Sequence, residues 1–402
     1  MARTKAAPRD GIRLRDTGSA ELNELRQEQQ KHQKYRNSSR ALVIAAILVL
    51  LSYAFSIILF IVPTETNRNL AVLLSMMQQK ASAFLAWLGG NNGTAFRVPV
   101  IRYTIILLAG ASLASAGCVF QGSFRNIIAS PSTMGVQAGA TLGNAIYTFF
   151  FATVITGTLV LDTDVEATQN MSIWALNRQQ IFAVLGGLLA VGIVISLTNI
   201  VGKNGLTGGT ILFSGMLFSS FAGAITTLFQ YYFMFKDPDD SRWRAMQEFS
   251  LGNFDKVVTT AHLGLMAVFL LPCLAVLLYL SPKLNILVMG EDEAKTMGVN
   301  VKQMRNTLIV IGTVMSAIVY AFCGGIGFVG FIVPQICRPL VGPDFRKLLP
   351  MTMITGGLLM IWVYNVAFAL GFSMYMNMIT SVLGCSMMLW SFAHGKGGRS
   401  YA

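Results

Sequence analysis

A compact group of ionisable residues, spelled GEDEAKTMGV over residues 290–299, lies between two long apolar runs. Three consecutive acids open it, and carboxylates are stabilised at the positive N-terminal end of a helix. Gly298 fits the left-handed cap that commonly ends a helix. Ala294 and Met297, three residues apart, would share one face of this helix, with Lys295 beside them. The segment is either a solvated loop or a surface helix that seats in a groove of a soluble partner. Its candidate residues are Gly290, Glu291, Asp292, Glu293, Ala294, Lys295, Met297, Gly298 and Val299.

A second polar group interrupts the apolar sequence between residues 96 and 143. Arg97 and Arg102 precede an apolar run, where an arginine either anchors a helix at the lipid headgroups or meets an acidic partner. Small residues within the run, such as Gly110 and Ser115, permit close helix packing. A polar break follows the run, and its candidate residues are Gln121, Arg125, Asn126 and Pro131.

Catalytic and metal-binding patterns are missing from the sequence. It contains no GxxxxGK[ST], HExxH or GxSxG motif, and its five cysteines lie in or beside apolar runs without CxxC spacing. We therefore predict no catalytic residue, no metal site and no cofactor. Asp, Glu, Lys and Arg are absent from the depth of every predicted span, whereas ion-coupled carriers usually keep such residues in the membrane. The energy for any transport would then come from another subunit.

The elements that position these groups are membrane spans. The chain of 402 residues is 54% hydrophobic and only 12% charged, against about 25% charged residues in soluble domains. Since a span needs about 20 apolar residues, we predict an all-α polytopic membrane protein with ten spans, or eight if two short runs do not cross. The predicted spans are residues 41–62, 103–120, 135–161, 181–201, 210–235, 263–280, 307–323, 326–336, 349–370 and 376–392.

The eighth predicted span is too short to cross unaided, and Gly327, Gly330 and Pro334 break its apolar pattern. This pattern indicates a broken or re-entrant hairpin that is packed inside protein.

Charge distribution predicts the orientation of the chain. We expect a basic, disordered cytoplasmic tail over residues 1–40, a membrane domain over residues 41–393, and a cytoplasmic tail over residues 394–402. With both termini in the cytoplasm, the basic excess lies on the inner side, as the positive-inside rule requires. The basic tail lacks the interleaved aromatic residues of nucleic-acid-binding segments, so we expect it to meet membrane lipid and not nucleic acid.

Four segments resemble the FecCD-type permease family, the membrane subunits of ABC importers for iron-siderophores, haem and vitamin B12. The first combines RVPVIR with GASLASAGCVFQGSFRNIIASPSTMGVQAGATLG. The second is LNILVMGEDEAKTMGVNVKQMR, and the third is GGIGFVGFIVPQICRPLVGPDFRKLLP. The fourth is ILFSGMLFSSFAGAITTL, residues 211–228. The similarity extends over roughly residues 41–392 and implies the fold of a type II ABC importer permease.

The resemblance implies that residues 290–299 form a coupling helix, which fits a groove of a cytoplasmic ATPase dimer and transmits its closure. It implies that Arg97 docks an extracytoplasmic substrate-binding lipoprotein, with Arg102 as a second candidate because Val100 replaces the family's second arginine. The permease would pair with a second copy or a close paralogue, and cargo would cross beside the fifth span. The translocation and gating candidates are Gln121, Arg125, Asn126, Pro131, Gly135, Gly215, Gly327, Gly330 and Pro334.

The resulting hypothesis is a plasma-membrane permease that imports an iron-siderophore complex while a separate subunit hydrolyses ATP. Haem or a corrinoid is the alternative cargo within the family, and an ATP-independent carrier or channel is the alternative from another class. A membrane scaffold without transport would not need the broken hairpin. Departures from the family pattern concern the cargo path: Gln335 replaces a histidine, residues 371–377 carry no charge, and Cys385 follows Gly384 where the family has GAPFF.

Overall fold

The computed structural model describes residues 41–54, 94–151, 178–201, 208–238, 240–254, 259–298, 300–369 and 375–393. Within these ranges the chain forms twelve helices and no strand, so the all-α prediction is confirmed. The helices are α1 (Ala41–Ala54), α2 (Thr94–Phe124), α3 (Val136–Phe150), α4 (Arg178–Val201), α5 (Gly208–Lys236), α6 (Ser241–Leu251), α7 (Thr260–Met289), α8 (Glu291–Thr296), α9 (Val301–Cys323), α10 (Val329–Val341), α11 (Phe345–Ala369) and α12 (Met376–Ala393).

Six helices in the described part of the chain are long and apolar enough to cross a membrane, namely α2, α4, α5, α7, α9 and α11. They coincide with six of the predicted spans. The shorter apolar helices are α1, α10 and α12, at the positions of the first, eighth and tenth predicted spans. Residues 55–62 of the first predicted span and residues 152–161 of the third lie outside the described residues.

Two long helices extend well beyond the predicted spans. Helix α2 begins at Thr94 because the arginines near its start interrupt the apolar run but not the helix. Helix α7 runs to Met289 and continues through Pro282. A proline inside a helix leaves the carbonyl four residues earlier without its N–H donor. Here the Ser281 hydroxyl donates to that carbonyl, Leu278 O, at 2.8 Å.

Helix α2 is the centre of the structure. In its membrane-spanning portion 89% of residues are buried, and it contacts α7, α9, α10 and α11. Its glycines allow neighbouring backbones to approach closely. A Cβ atom at Gly110 would clash with the Gly356 carbonyl of α11, and one at Gly117 would clash with the backbone of Gly330 in α10. Such backbone-to-backbone packing is how helices associate when lipid removes the hydrophobic driving force between them.

The faces of α4, α5 and α7 point outward. Only 33% of residues in the membrane-spanning portions of α4 and α5, and 22% in that of α7, are buried. Because they are apolar, these faces are suited to lipid or to another apolar subunit. The exposed large side chains of α5 are Phe213, Met216, Leu217, Phe221, Leu228, Tyr231, Tyr232, Met234 and Phe235.

The hairpin between α9 and α10 is broken, as the glycines and proline predict. Residues 324–328 are not helical, and Phe328 has a φ of 61° at the start of α10. Helix α10 has 13 residues, about 20 Å at 1.5 Å per residue, which is too short to span the hydrocarbon. Much of the helix and residues 324–327 before it are buried, so the non-helical backbone of the hairpin lies inside protein.

Candidate functional site

The acidic segment forms a helix, α8, one residue after the end of α7. The Met297 N–H donates to Glu293 O at 3.2 Å, and the Gly298 N–H donates to Lys295 O at 3.0 Å. Gly298 has a φ of 75°, so the predicted left-handed glycine cap is confirmed. The side chains of Glu291 and Asp292, and all of Val299, lie outside the described residues.

The prediction that Ala294 and Met297 share one face of α8 is wrong. Ala294 is fully buried, whereas Met297 is 60% exposed. Helix α8 ends at Thr296, so Met297 is already beyond the helix and the three-residue spacing no longer sets its direction. The surface of this segment is therefore formed by Glu293, Lys295, Thr296 and Met297.

The last turns of α7, which carry α8, are fixed by the turn before α11. The Asn285 side-chain amide donates to Asp344 Oδ1 at 2.6 Å, and the Phe345 N–H donates to Asn285 Oδ1 at 2.8 Å. Asp344 Oδ1 also accepts from the Arg346 N–H at 3.0 Å. Neither Asn285 nor Asp344 was among the predicted site residues. The signal was present, since Asn285 is a polar residue within the apolar sequence LNILVM and Asp344 follows the glycine and proline of a turn.

The polar break after α2 reaches the same end of α7. Arg125 Nη2 donates to Leu287 O at 3.1 Å, and Arg125 has a φ of 47°, which is rare for a residue with a side chain. Asn126 stabilises this turn, because its side-chain oxygen accepts from the Ile128 N–H at 3.0 Å. The structure thus brings two of the predicted residues of the break next to the segment that carries α8.

Gln121 joins α2 to α10 with both ends of its side chain. Its Nε2 donates to Gly330 O at 3.3 Å, and its Oε1 accepts from Arg338 Nη2 at 2.6 Å. Gly330 lies four residues before Pro334, which has no N–H to donate to it. Gln121 supplies the missing donor. Three predicted candidates therefore meet here, together with Arg338, which sequence analysis matched to the family pattern without assigning it a role.

The remaining predicted candidates lie around the turn between α2 and α3 and at the broken hairpin. Pro131 is buried in this turn, and Gly135, with a φ of 81°, directly precedes α3. A Cβ atom at Gly215 of α5 would clash with the Thr133 carbonyl, so α5 rests directly on the turn. At the hairpin, the Gly327 N–H donates to the Asn377 side chain at 2.9 Å.

A cavity of about 510 Å³ lies between α3, α5, α6 and the turn before α3. Polar side chains are set into a partly apolar lining, and none of the described residues that form it is ionisable. Three carboxamides and six hydroxyls contribute the polar atoms, and sequence analysis singled out none of these nine residues. They are Gln137, Gln230, Gln247, Ser132, Thr141, Ser219, Thr226, Thr227 and Ser250.

Of the two arginines at the start of α2, the structure describes the side chain of Arg102 but not that of Arg97. Arg97 lies within α2, but its side chain is outside the described residues. Arg102 is partly buried, and its Nη1 donates to the hydroxyl of buried Tyr364 at 3.0 Å. This hydrogen bond ties Arg102 to α11.

Helix α6 was not predicted, although it lies beside the cavity. Asp240 caps its N-terminus by accepting from the Arg242 N–H at 2.9 Å, and the same carboxylate pairs with the Arg242 guanidinium at 2.6 Å. The guanidinium also lies 4.2 Å from the centre of the Phe233 ring. The hydrogen bond from Arg242 lowers the pKa of Asp240.

Replacing Asp240 with alanine is expected to fray the first turn of α6, because a lost N-cap typically costs about 1 kcal/mol. Faster amide hydrogen exchange in residues 241–244 would measure this. Asp240→Asn is the matched control, since it keeps a neutral cap acceptor. Because folding lowers its pKa, the ionised Asp240 carboxylate stabilises the folded protein. This contribution is complete above the ordinary pKa of an aspartate and is lost as the pH falls through the lowered pKa. Equal exchange in the alanine variant and the unmodified protein would contradict the capping role.

The fold and the site define a polytopic membrane transport protein. A central helix packs against a broken hairpin, a cavity with nine uncharged polar side chains adjoins the outward-facing α5, and a short helix with an exposed side follows a span. A family model described as the FecCD transport family matches residues 45–394. The chain belongs to the FecCD transport family.

Several curated proteins are similar to this chain. The cobalamin import system permease of Halobacterium salinarum is 31% identical over 73% of this chain and 72% of its own length. The molybdate import system permease of Haemophilus influenzae is 30% identical over 73% and 78% of the two chains. The hemin transport system permease of Yersinia pestis is 27% identical over 87% and 97%.

A solved structure, described as an inward-facing conformation of a transporter of the metal-chelate ABC type, also resembles the fold. Its TM-score is 0.65 at 25% sequence identity, with 87% of this chain and 97% of the other covered. The chain is therefore a membrane permease of an ABC importer. Membership of this class implies a partner ATPase and a substrate-binding protein.

Proposed function

We propose that this permease imports an iron chelate of the ferric-siderophore type across the plasma membrane, driven by ATP hydrolysis in a separate cytoplasmic subunit. The observation that carries the proposal is the chemistry of the cavity beside α5. Its hydroxyls and carboxamides can hydrogen-bond to a polar cargo, and the described residues that line it include no carboxylate, thiol or imidazole to bind a bare metal ion. A metal cargo that crosses here arrives with its own ligands.

The side chains of this lining favour some of the cargoes named for similar permeases over others. A small oxyanion such as molybdate is best held by cationic groups or clustered N–H donors, and the lining in the described part of the chain includes no cationic side chain. A haem has a broad apolar ring and few hydrogen-bonding groups, so it would leave most of the nine polar side chains of the lining without a partner on the cargo. A siderophore complex presents amide, hydroxyl and carbonyl groups that match glutamine, serine and threonine.

A second permease subunit completes the path in this proposal. The exposed apolar and aromatic residues of α5 form a face that a copy of the chain, or a close paralogue, would bury. The cavity is bounded by the same helix. Cargo would therefore pass along the junction of the two subunits, beside α5 and α3.

In this proposal, each surface that binds a partner lies on a defined side of the membrane. Helix α8 is the coupling helix that seats in a groove of the cytoplasmic ATPase dimer, with exposed Lys295 in the helix and exposed Met297 directly after it. Arg97 docks the extracytoplasmic binding lipoprotein. Both termini, including the basic tail of residues 1–40 and the tail of residues 394–402, lie in the cytoplasm, where the tail meets anionic lipid.

A corrinoid is the second candidate cargo. It is favoured by the similarity to the cobalamin permease, and the amide side chains of a corrinoid could also meet the glutamines of the cavity. Haem is the further alternative, favoured by the hemin permease of similar length.

Reconstituted vesicles containing the permease, its ATPase and its binding protein test the proposal. We expect ATP-dependent uptake of radiolabelled ferric siderophore at least about tenfold above uptake of labelled cobalamin, haemin or molybdate, a preference worth roughly 1.4 kcal/mol. Cobalamin uptake at the higher rate would instead identify a corrinoid permease. Full uptake without the ATPase would identify the ATP-independent class.

Replacing two cavity glutamines together, Gln230→Leu with Gln247→Leu, is expected to lower siderophore uptake about tenfold or more, because polar cargo groups would meet unpaired apolar walls. Uptake per reconstituted complex measures this. Gly264→Ala is a suitable control, since a Cβ atom there would meet nothing within 4 Å. Unchanged uptake in the double variant would remove the cavity from the cargo path.

A further inference from the structure

The end of α7, which carries α8, and the broken hairpin are both joined by side-chain hydrogen bonds to the last turns of α2 and the residue that follows it. The connection runs from Leu287 O to Arg125, through the last turn of α2 to Gln121, and from Gln121 to Gly330 and Arg338. We propose that these residues form a mechanical link, the Arg125–Arg338 link, which transmits the movement of α8 to the hairpin and determines how much ATP is hydrolysed per cargo imported. The inference rests on the proposed role of α8 as the coupling helix.

The first joint of the link caps the end of α7. The last four carbonyls of a helix have no partner within it, and Leu287 O is one of these, since α7 ends at Met289. Arg125 donates to this carbonyl at 3.1 Å, and its positive charge suits the negative end of the helix. Gly290 alone separates α7 from α8. A displacement of α8 therefore reaches Leu287 directly and pulls on Arg125.

The second joint holds the start of α10. Pro334 cannot donate to Gly330 O, and Gln121 Nε2 does so instead at 3.3 Å. Gly117, one turn before Gln121 on α2, packs so closely on Gly330 that a Cβ atom would clash with it. The hydrogen bond and the close packing act on the same residue of the hairpin, so this point of α10 follows the end of α2.

The third joint holds the end of α10. Arg338 donates to Gln121 Oε1 at 2.6 Å, and Arg338 lies in the last turn of α10. Gln121 thus contacts the hairpin helix near both of its ends, and Gln335 adds a longer contact of 3.4 Å to Ile127 O in the polar break. With two fixed points, α10 moves with α2 as one body and does not pivot about a single contact.

Both polar ends of Gln121 are occupied, so its orientation is set by its partners. Apolar side chains packed between helices can slide, whereas these hydrogen bonds allow a small number of discrete arrangements. The link also lies between the proposed contact with the ATPase and the hairpin that borders α12 and α6. It is therefore placed to carry a signal in both directions: from the ATPase outward, and from the binding protein inward.

The test uses the complete complex of permease, ATPase and binding protein in vesicles. Gln121→Glu keeps the acceptor for Arg338 but removes the donor to Gly330, and Gln121→Leu removes both. Arg125→Ala removes the first joint. Arg178→Ala, which changes an exposed arginine at the start of α4, is the charge-matched control. The readout is the number of ATP molecules hydrolysed per cargo imported, with binding of the ATPase and thermal melting measured alongside.

We expect each link variant to raise this ratio about tenfold while the ATPase remains bound and the control keeps the ratio of the unmodified protein. Because the joints act in series, combining Gln121→Leu with Arg125→Ala should add little to either change alone. If hydrolysis and import fall in parallel at a constant ratio, the residues are structural only and the proposal is overturned. Fully additive effects would also overturn it, because independent contacts do not form one link.

A second measurement separates this inference from the identity of the cargo. If the unmodified complex imports no ferric siderophore, the proposed cargo is wrong, but stimulation of ATP hydrolysis by the binding protein still reports on the link. We expect Gln121→Glu and Arg125→Ala to lose most of this stimulation. Full stimulation in both variants, whatever the cargo, would show that the signal does not pass through Arg125 and Gln121.

Discussion

Replacing Gly117 with alanine is expected to abolish transport. A Cβ atom at this position would clash with the carbonyl group and the Cα atom of Gly330, so no flexible side chain can move away to make room. Overpacking a buried site costs about 1–3 kcal/mol even where side chains can adjust, and here two backbones must separate. Separation of α2 from α10 would also break the hydrogen bond from Gln121 to Gly330. We expect at least about a 100-fold loss of uptake and a lower melting temperature.

Gly192→Ala is the matched control for this prediction. Gly192 lies in the membrane helix α4, and a Cβ atom there would meet nothing within 4 Å. Alanine is better than glycine in a helix by roughly 0.5–1 kcal/mol, so the control should melt at the same or a higher temperature and retain transport. Uptake by Gly117→Ala close to that of the control would show that the α2–α10 contact can open without loss of function.

The broken hairpin shows what could be predicted from the sequence. Glycine and proline spacing was enough to predict a short, interrupted helix at residues 326–336, because both residue types act on the local backbone. It was also readable that Pro334 would leave the Gly330 carbonyl without a donor. The identity of the new donor was not readable, because Gln121 lies 209 residues earlier in the chain and reaches Gly330 only through tertiary packing.

Polar helices were harder to predict than apolar ones. Helix α6 has the sequence SRWRAMQEFSL, which lacks a long apolar run and lies within a charged segment between two spans. Its start and end carried signals, since Asp240 is a preferred cap residue and Gly252 follows the last turn. Membrane-span analysis searches for length and hydropathy, and both criteria pass over an 11-residue helix of this composition. The polar cavity was missed for the same reason, because its walls include α6.

The sequence did not predict which way individual side chains point or which residues they contact. Spacing placed Ala294 and Met297 on one face, but a helix of six residues ends before Met297. Arg102 was a second docking candidate because this chain has Val100 where the family has its second arginine, and that role stays a prediction. The structure shows it hydrogen-bonded to Tyr364, 262 residues later. The exposure of Met297 and the hydrogen-bond partner of Arg102 depend on contacts that only the folded chain defines.

Replacing Met297 with glutamate is expected to detach the ATPase while leaving the permease folded in the membrane. Met297 is 60% exposed at the end of α8, so its side chain is available to fill an apolar part of the ATPase groove under the proposed coupling role. A carboxylate there would have to lose water without a fixed partner, and losing a central contact of an interface typically costs about 2 kcal/mol, or roughly 30-fold in Kd. Binding of the purified ATPase dimer to the solubilised permease measures this directly.

The choice of position decides whether this experiment can be interpreted. Ala294→Arg would place a long cationic side chain at a fully buried position of α8. Loss of ATPase binding could then result from local unfolding as readily as from a lost contact. Met297 avoids that ambiguity, and Met297→Leu keeps an apolar side chain of similar size and should bind with an unchanged Kd. If Met297→Glu binds the ATPase as tightly as Met297→Leu, the exposed end of α8 does not enter the groove, and coupling must pass through another cytoplasmic surface.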